Sequence, residues 1–333
     1  MRQYFTRRNL LAVSLGAAVA LSAGVAQAQN KKVLRFSAAS PPADFLSKSM
    51  QVFKDEVEKA APGIDVQIYP ASQLFRQGTE VPAMQRGTLE MNTMTTFEVS
   101  AQIEEYGFLN RAFLFRDYDH LMKVLKGPFG AAYAKEVEAK MGLVILSPGY
   151  LGTRQVNLRT ARDVKGPSDL AGLKKRMPAT PEWLVLGQSL GVSPVPMAMP
   201  EIYLALQTGS IDGQENPLTI MNAAKFYEVT KQVVKTAHLV QPIFYTIAKP
   251  FFDKLTAQEQ QAVRAAAVKA AAFNDQLRRD DESKVEARLK ELGLRVDTID
   301  LAPFKANADK LYSTSDIKKK WNQTLLKQVV DTK

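Results

Sequence analysis

The predicted fold of this molecule depends on one uninterrupted run of sequence, which extends from Thr256-Ala257-Gln258-Glu259 to Leu292-Gly293. Its Thr-x-x-Glu start is a capping box, in which two side chains satisfy backbone N–H groups reciprocally. Neither Gly nor Pro occurs before Gly293, which stands where a left-handed residue commonly ends a helix. The pattern predicts one helix over 257–292, which is 36 residues and about 54 Å long.

A helix of that length is too long for one small domain. Its apolar positions do not keep a strict heptad, which favours a strut behind two lobes over the seam of a coiled-coil dimer. The whole chain has 333 residues, enough for about two domains. We therefore expect two lobes that share one long helix.

Upstream of this helix, strand-like and helix-like segments alternate. This βαβ pattern predicts an α/β fold with largely parallel sheets and helices on their faces. The predicted strands are 33–38, 64–69, 89–96, 143–147, 174–177 and 192–197, and the predicted helices are 44–61, 120–126, 131–141 and 201–207. The polar segment 211–217 is predicted to be a loop.

The N-terminus has the three parts of an export signal. Arg2, Arg7 and Arg8 precede an apolar run over 10–25, and Ala26-Gln27-Ala28 is a cleavage site. The run is shorter than the about 20 residues that span a bilayer. We expect a signal peptide over 1–28, cleavage after Ala28 and a periplasmic protein. The paired arginines leave both the twin-arginine route and the ordinary export route open.

Composition excludes several classes of site. The chain has no Cys, so a disulfide, a thiolate metal site and a Cys nucleophile are excluded. The net charge is +10, but the basic residues are scattered without interleaved aromatics, which argues against nucleic-acid binding. Phosphate-loop, dinucleotide and zinc-protease motifs are absent from the sequence, and we expect neither a cofactor nor a metal.

Few residues suit catalysis. The chain has two histidines, His120 and His238, and both lie in apolar segments that favour structural roles. Asp212 and Glu215 are a weak signal for a metal site, since two carboxylates alone do not define one. Arg154 and Arg176 stand out more, because arginine at a strand end can bind a carboxylate with two parallel hydrogen bonds. From spacing alone, ordinary surface arginines remain the alternative.

The motif around these arginines resembles a known family. Ser193-Pro194-Val195-Pro196-Met197 leads through Glu201-Ile202-Tyr203-Leu204-Ala205-Leu206-Gln207-Thr208-Gly209 to Asp212-Gly213-Gln214-Glu215-Asn216-Pro217. This run, with Gly152-Thr153-Arg154 and the 173–176 segment, resembles the DctP-type substrate-binding proteins of tripartite ATP-independent periplasmic (TRAP) transporters. The resemblance extends over about Val33 to Tyr312 and includes the long helix.

The resemblance implies a periplasmic receptor with a ligand cleft between two lobes. Lobe I is expected over 29–151 plus 242–281, and lobe II over 152–241 plus 282–333. The family pattern assigns the carboxylate-binding arginine to Arg176, and it assigns a second arginine and an asparagine to Arg154 and Asn216. Weaker matches place Gln77 and Thr95 on the first lobe's wall, and Trp183 and Met199 on an apolar wall. The implied protein is a monomer without catalytic residues, and its partners are the small and large membrane subunits of the transporter.

Departures from the family pattern bear on the ligand. Phe75 and Arg76 follow Ser-Gln-Leu where many members have Gly, and Phe75 could close the pocket while Arg76 meets a second anionic group. Met199 and Ala39 differ from the residues of sialic-acid receptors, which argues against that ligand. We expect a small carboxylate with an apolar or aromatic body, contacted by Trp183, Met199 and Phe75. The competing interpretation is a dicarboxylate whose far end is held by Arg154 or Arg76.

Two other functions stay open at this point. One is a periplasmic hydrolase or lyase that acts on an organic acid, which would need a titratable acid or base beside Arg176. The other is a receptor for an ATP-driven importer or a sensor. Binding without turnover would distinguish a receptor from an enzyme.

Overall fold

A computed structural model describes residues 31–333, and the predicted signal peptide over 1–28 lies outside them. In the described residues, nine strands form one mixed sheet. The strands are β1 Lys32–Ser37, β2 Ile64–Tyr69, β3 Met91–Met94, β4 Leu143–Leu158, β5 Lys174–Met177, β6 Ser193–Pro196, β7 Gly213–Pro217, β8 Gln232–Ala248 and β9 Arg295–Thr298.

Twelve α-helices surround this sheet within residues 31–333. They are α1 Phe45–Ala60, α2 Glu80–Gln85, α3 Thr96–Ser100, α4 Tyr118–Lys126, α5 Pro128–Met141, α6 Pro181–Ser189, α7 Ile202–Thr208, α8 Leu218–Ala223, α9 Lys249–Phe252, α10 Ala257–Glu291, α11 Ala302–Thr314 and α12 Gln323–Asp331. None of the helices in this part of the chain is long and apolar enough to cross a membrane.

The strand order is β2-β1-β3-β8-β4-β7-β5-β6, with β9 beside β8. The outer pairs are parallel, as predicted, but β3–β8, β8–β4 and β4–β7 are antiparallel. The difference arises because β4 and β8 have 16 and 17 residues and run in opposite directions through both lobes. The predicted strand 143–147 is only the first part of β4.

The segment 211–217 is not the predicted loop. Its residues Gly213–Pro217 form β7, a central strand between β4 and β5 with every residue buried. Polar side chains are tolerated there because they pair with one another: Gln214 donates to Asn157 at 3.1 Å, and Glu215 accepts from Arg154 at 2.7 Å. Satisfied polar groups remove the usual penalty of burial.

The long helix is present as predicted, with 35 residues in α10. Its capping box is formed, since Glu259 accepts from the Thr256 backbone N–H at 2.7 Å and the Thr256 hydroxyl accepts in return at 3.3 Å. The helix packs on α1, α8, β4 and β9, which belong to both lobes. Its buried alanines therefore face the protein's own sheet, which supports the strut and not the dimer seam.

Arg278 of α10 connects elements of the two predicted lobes. Its side chain is buried and forms an ion pair with Asp44, the N-cap of α1 in the first lobe. It also donates to Thr219 in α8 of the second lobe at 2.7 Å and to Asn274 of its own helix at 2.8 Å. One guanidinium thus fixes three elements near the point where the lobes meet.

The C-terminal segment differs from the predicted division of the chain. The sequence prediction groups 282–333 with lobe II, but the end of this segment packs on elements of the first lobe. Asn322 donates to the Glu105 carbonyl at 3.0 Å, and His120 bonds the Val329 carbonyl at 3.0 Å. Trp321 lies against Gly107, where an added Cβ would come within 2.7 Å of its indole nitrogen. The buried apolar face of this segment explains the placement.

Candidate functional site: a cavity between the lobes

A cavity lies between the two lobes, and its empty space together with the open solvent at its mouth is about 610 Å³. Its wall combines polar and apolar side chains from both. The polar residues are Ser40, Gln77, Glu80, Thr93, Thr95, Glu98, Arg154, Arg176, Asn216 and Gln241, and the apolar ones are Ala39, Pro41, Leu46, Phe97, Leu151, Pro178, Met199, Ile220 and Ile243. Six of the seven predicted site residues are therefore at this cavity, and Trp183 is the exception.

Arg176 is the buried cation of the cavity that has no anionic partner. It lies on β5 and is 1% exposed. Its Nε donates to the Met197 carbonyl at 2.8 Å and Nη2 donates to Gln77 Oε1 at 3.0 Å. Within residues 31–333 it forms no salt bridge, and burial lowers its pKa to about 9. Its remaining donors can receive a ligand carboxylate.

Gln77 connects the lobes at Arg176. Its Oε1 accepts from Arg176 Nη2 at 3.0 Å and from the Met199 backbone N–H at 2.8 Å. In the predicted division of the chain, Gln77 belongs to the first lobe and both donors belong to the second. These hydrogen bonds therefore connect the two predicted lobes across the cavity. A second cross-cleft contact, the exposed ion pair between Arg76 and Glu201, has an N–O distance of 2.6 Å.

Arg154 lies on β4 and has its charge compensated. Its guanidinium forms a forked ion pair with Glu215 of β7, with Nη2 to Oε1 at 2.7 Å, and Nη1 donates to Gln241 at 2.6 Å. Gly152 allows β4 to lie close to β7 beside this ion pair. Its φ is +130°, a conformation that favours glycine, and an added Cβ would lie 2.5 Å from Pro217 on β7. Arg154 is thus largely committed to protein contacts.

Glu215 organises a buried charged cluster behind this wall. Burial raises its pKa, but Arg154 and His238 outweigh that effect and lower the pKa to about 2. His238 Nε2 lies 3.1 Å from Glu215, and burial lowers the histidine pKa to about 4. Lys175 is fully buried too, its Nζ has no partner in the described part of the chain, and burial lowers its pKa to about 8. The cluster therefore holds three basic side chains around one carboxylate beside the cavity.

Asn216 and Met199 form another part of the wall. Asn216 donates to Gln214 Oε1 at 2.6 Å, and the same nitrogen lies 3.9 Å from the Met199 sulfur. The side-chain carbonyl oxygen of Asn216 accepts no hydrogen bond from residues 31–333. The amide is therefore held by its neighbours while its oxygen remains available.

The first lobe contributes an acidic pair that the sequence analysis missed. Glu80 and Glu98 line the cavity and are 3% and 7% exposed. Glu98 accepts from the Thr95 backbone N–H at 2.6 Å and from its hydroxyl at 3.0 Å. Thr95-Thr96-Phe97-Glu98 has the same Thr-x-x-Glu spacing as the cap of α10, so that spacing could have identified the turn. Glu80 has no comparable motif.

Only one of the three residues expected to supply apolar surface to the ligand lies at the cavity. Met199 lines the cavity, whereas Trp183 and Phe75 do not. The indole of Trp183 is fully buried, donates to Asn110 at 3.1 Å and packs edge-on against Phe97. Phe75 packs on the core of the first lobe. The apolar body expected for the ligand therefore lacks two of its three supposed contacts.

The two remaining sequence hypotheses concern metals and catalysis. No group of three or more metal-ligating side chains occurs among residues 31–333. Asp212 accepts from the Lys174 backbone N–H at 2.9 Å, which is a structural contact. His120 accepts from Arg116 N–H at 3.1 Å and joins α4 to the C-terminal helix. Neither histidine is among the residues that line the cavity.

Comparison with known proteins places this cavity in context. Residues 36–319 match the family described as bacterial extracellular solute-binding protein, family 7 (DctP). A solute-binding protein of Verminephrobacter eiseniae is 36% identical over 260 residues, 78% of this chain and 77% of that protein. The 2,3-diketo-L-gulonate-binding periplasmic protein of Escherichia coli is 31% identical over 266 residues, 80% of each.

This chain is also similar to a solved structure of a solute-binding protein. The TRAP periplasmic solute binding protein of Roseobacter denitrificans, with bound 3-deoxy-D-manno-oct-2-ulosonic acid, has a TM-score of 0.87 and 34% identity and covers 91% of this chain and 100% of its own. The resemblance and the two-lobed α/β fold predicted from the sequence are thereby confirmed. This chain belongs to the bacterial extracellular solute-binding protein family 7, the DctP family.

Proposed function

We propose that this protein is a periplasmic receptor that captures an organic acid anion by its carboxylate and delivers it to the small and large membrane subunits of a TRAP transporter. The observation that carries the proposal is Arg176, a buried cation at the cavity without an anionic partner among residues 31–333. A buried unpaired charge is costly. A ligand carboxylate would supply the missing partner and could accept two parallel hydrogen bonds from the guanidinium.

The electrostatics on the Arg176 side of the cavity favour an anion as well. Arg154, Lys175 and Arg176 outnumber the carboxylate of Glu215, which influences all three. Positive potential focused in a cleft with low-dielectric walls attracts anions and accelerates their capture. Glu215 keeps Arg154 in place, so that Arg176 can act as the principal carboxylate ligand with Arg154 and Asn216 beside it.

The contacts across the cavity support a receptor cycle. Gln77 bonds Arg176 and the Met199 backbone from the opposite lobe. A ligand that binds the closed form better than the open form shifts the equilibrium towards closure. We infer that the open, empty receptor closes on its ligand, and that the closed monomer is the form presented to the membrane subunits.

The relatives guide the choice of probes. The Escherichia coli and Roseobacter denitrificans proteins are named for, or bound to, acids that carry several oxygens beyond the carboxylate. A thermal-shift screen with 2,3-diketo-L-gulonate, 3-deoxy-D-manno-oct-2-ulosonate and simple mono- and dicarboxylates would find a ligand. At about 100 times its Kd, a ligand adds about 2.7 kcal/mol to the free energy of unfolding.

The decisive measurement is calorimetric titration of the best acid into Arg176→Lys and Arg176→Ala. We expect Kd to rise at least about 30-fold in both, because truncating one partner of a buried charge pair costs about 2–5 kcal/mol and Lys cannot reproduce the planar fork. Arg35→Lys is the matched control, since Arg35 makes a forked pair with Glu90 outside the cavity. An Arg176→Ala protein that binds within twofold of wild type would refute the proposal.

The same sample distinguishes a receptor from an enzyme. The acid recovered after prolonged incubation with the protein is expected to be chemically unchanged by mass spectrometry. Accumulation of a product in proportion to protein concentration would instead establish the hydrolase or lyase alternative.

A further inference from the structure

We propose that Glu80 and Glu98 form a second polar subsite of the cavity, which binds hydroxyl groups at the part of the ligand remote from its carboxylate. The inference rests on the proposed function, because it assumes that Arg176 holds the carboxylate. It assigns the ligand to the hydroxy acids and excludes the dicarboxylates. We refer to Glu80 and Glu98 together as the acidic pair.

The acidic pair has no cationic partner. Both carboxyls line the cavity and are more than nine-tenths buried, and neither forms a salt bridge with any residue of 31–333. Glu80 accepts from the Gly78 backbone N–H at 2.8 Å, and Glu98 uses Oε2 for both of its contacts with Thr95. Oε1 of Glu98 accepts no hydrogen bond from the described residues.

The environment keeps the pair partly protonated near neutral pH. Burial raises the pKa of Glu80 to about 7, and burial together with the charge of Glu80 raises that of Glu98 to about 8. Two carboxyls that repel each other do not both ionise readily. A protonated carboxyl donates one hydrogen bond, whereas an ionised one only accepts. The pair therefore offers a donor and acceptors together, which is the complement of a hydroxyl group.

Two further polar groups at the cavity lack partners. The hydroxyl of Thr93, 9% exposed on β3, makes no hydrogen bond with residues 31–333. Gln241, 1% exposed on β8, accepts from Arg154, but its amide nitrogen donates to none of these residues. Neither atom is among the fully buried atoms without a partner, so both are accessible from the cavity and free to bond a ligand. These two side chains, separate from the acidic pair, therefore also call for a ligand with oxygens along its length.

Other ligand ends fit this cavity less well. A second carboxylate would be repelled by the acidic pair, and Arg154 is already paired with Glu215. Arg76 is not at this cavity and pairs with Glu201. An ammonium group has no acceptor for the amide nitrogen of Gln241. A bare alkyl chain would leave all of these groups unsatisfied, so hydroxyl groups are the ends that satisfy both donors and acceptors.

Matched acids of equal chain length test the inference. The four-carbon set is D-erythronate, butyrate, succinate and 4-aminobutyrate, and the six-carbon set is L-galactonate, hexanoate, adipate and 6-aminohexanoate. In calorimetric titrations of the full mature chain, we expect a hydroxy acid to bind at least about tenfold tighter than every comparator of its length, because a site built for hydroxyls rejects analogues that lack them. Equal or tighter binding of any comparator would overturn the inference.

Variants assign that preference to the acidic pair. Glu80→Gln and Glu98→Gln each remove a carboxyl that repels the second carboxylate of a dicarboxylate ligand. In each variant, the Kd of the dicarboxylate divided by the Kd of the hydroxy acid is expected to fall at least about fivefold. Glu182→Gln is the control, because Glu182 is a buried carboxyl outside this cavity with an unpartnered oxygen. A ratio unchanged in both pair variants would overturn the assignment, and using two variants guards against one that fails to fold.

The test also separates this inference from the function on which it rests. Tight binding of butyrate or succinate that Arg176→Lys abolishes would uphold carboxylate capture and overturn the acidic subsite. Hydroxy-acid preference that survives Arg176→Ala at full affinity would contradict both, because the carboxylate would then be held elsewhere.

Discussion

Replacing Glu215 by Gln tests the buried charged cluster most directly. The side chain is fully buried, accepts from Arg154 through both oxygens and lies 3.1 Å from His238. Glutamine has nearly the same shape, so the change removes a charge without opening a cavity. It leaves the Arg154 guanidinium buried without its carboxylate partner.

The expected loss follows from that geometry. Removing one partner of a buried ion pair costs about 3–5 kcal/mol, because the other charge stays desolvated and unpaired. The total free energy of unfolding of a typical protein is about 5–15 kcal/mol, so Glu215→Gln should lose a large fraction of it. Urea titration followed by circular dichroism measures the change as a lower transition midpoint at an unchanged slope.

A control variant makes the result specific to burial. Glu56 pairs with Lys269 on the surface, where the side chains are 33% and 60% exposed. Glu56→Gln should leave the transition midpoint unchanged, because exposed pairs contribute little to stability. A Glu215→Gln protein whose free energy of unfolding lies within about 1 kcal/mol of wild type would refute the argument that this carboxylate compensates the buried charge of Arg154.

Three further outcomes are expected. Gly152→Ala should lower the free energy of unfolding by more than about 1 kcal/mol, because φ is +130° and the new Cβ would meet Pro217 at 2.5 Å; unchanged thermal denaturation would contradict this. The pKa of His238 falls from 6.5 to about 4 on folding. The unfolded state therefore binds a proton that the folded state lacks, so stability should decrease as pH falls from about 6.5 to about 4, and His238→Gln should flatten that slope in pH-dependent urea titrations. Arg76→Ala should leave stability unaffected but speed ligand release at low salt, because the exposed pair with Glu201 crosses the cleft; equal stopped-flow release rates would argue against a latch.

Local signals predicted much of the architecture. Thr256, Glu259 and Gly293 mark the ends of α10 to within a residue or two, because capping depends on neighbouring residues. The alternating pattern of segment 64–69 predicts β2 with its observed bounds, because such alternation is typical of a half-buried strand. Arg176 came from the family motif, since its spacing alone could not distinguish it from a surface arginine.

Features that depend on contacts between residues far apart in the sequence could not be predicted from it. The polar strand β7 has no apolar alternation, and its burial depends on pairing with Arg154 and Asn157 of a remote strand. The family pattern places Trp183 on the apolar wall, but the direction of its side chain is fixed by Asn110, which is 73 positions away. Glu80 and Glu98 reach the cavity only because α2 and α3 pack around it, which no local pattern reports.

The three long elements β4, β8 and α10 have a consequence for synthesis of the chain. β3 and β4 have their pairing partner in β8, and α1 packs on α10, so neither lobe is complete until most of the chain has left the ribosome. Domains normally fold as units in the order of translation, but here no unit of consecutive residues is closed early. A nascent chain that ends before β8 would carry β3 and β4 without that partner, and unpaired strand edges are templates for aggregation. Premature termination of translation before β8 should therefore yield aggregating fragments instead of a folded first lobe.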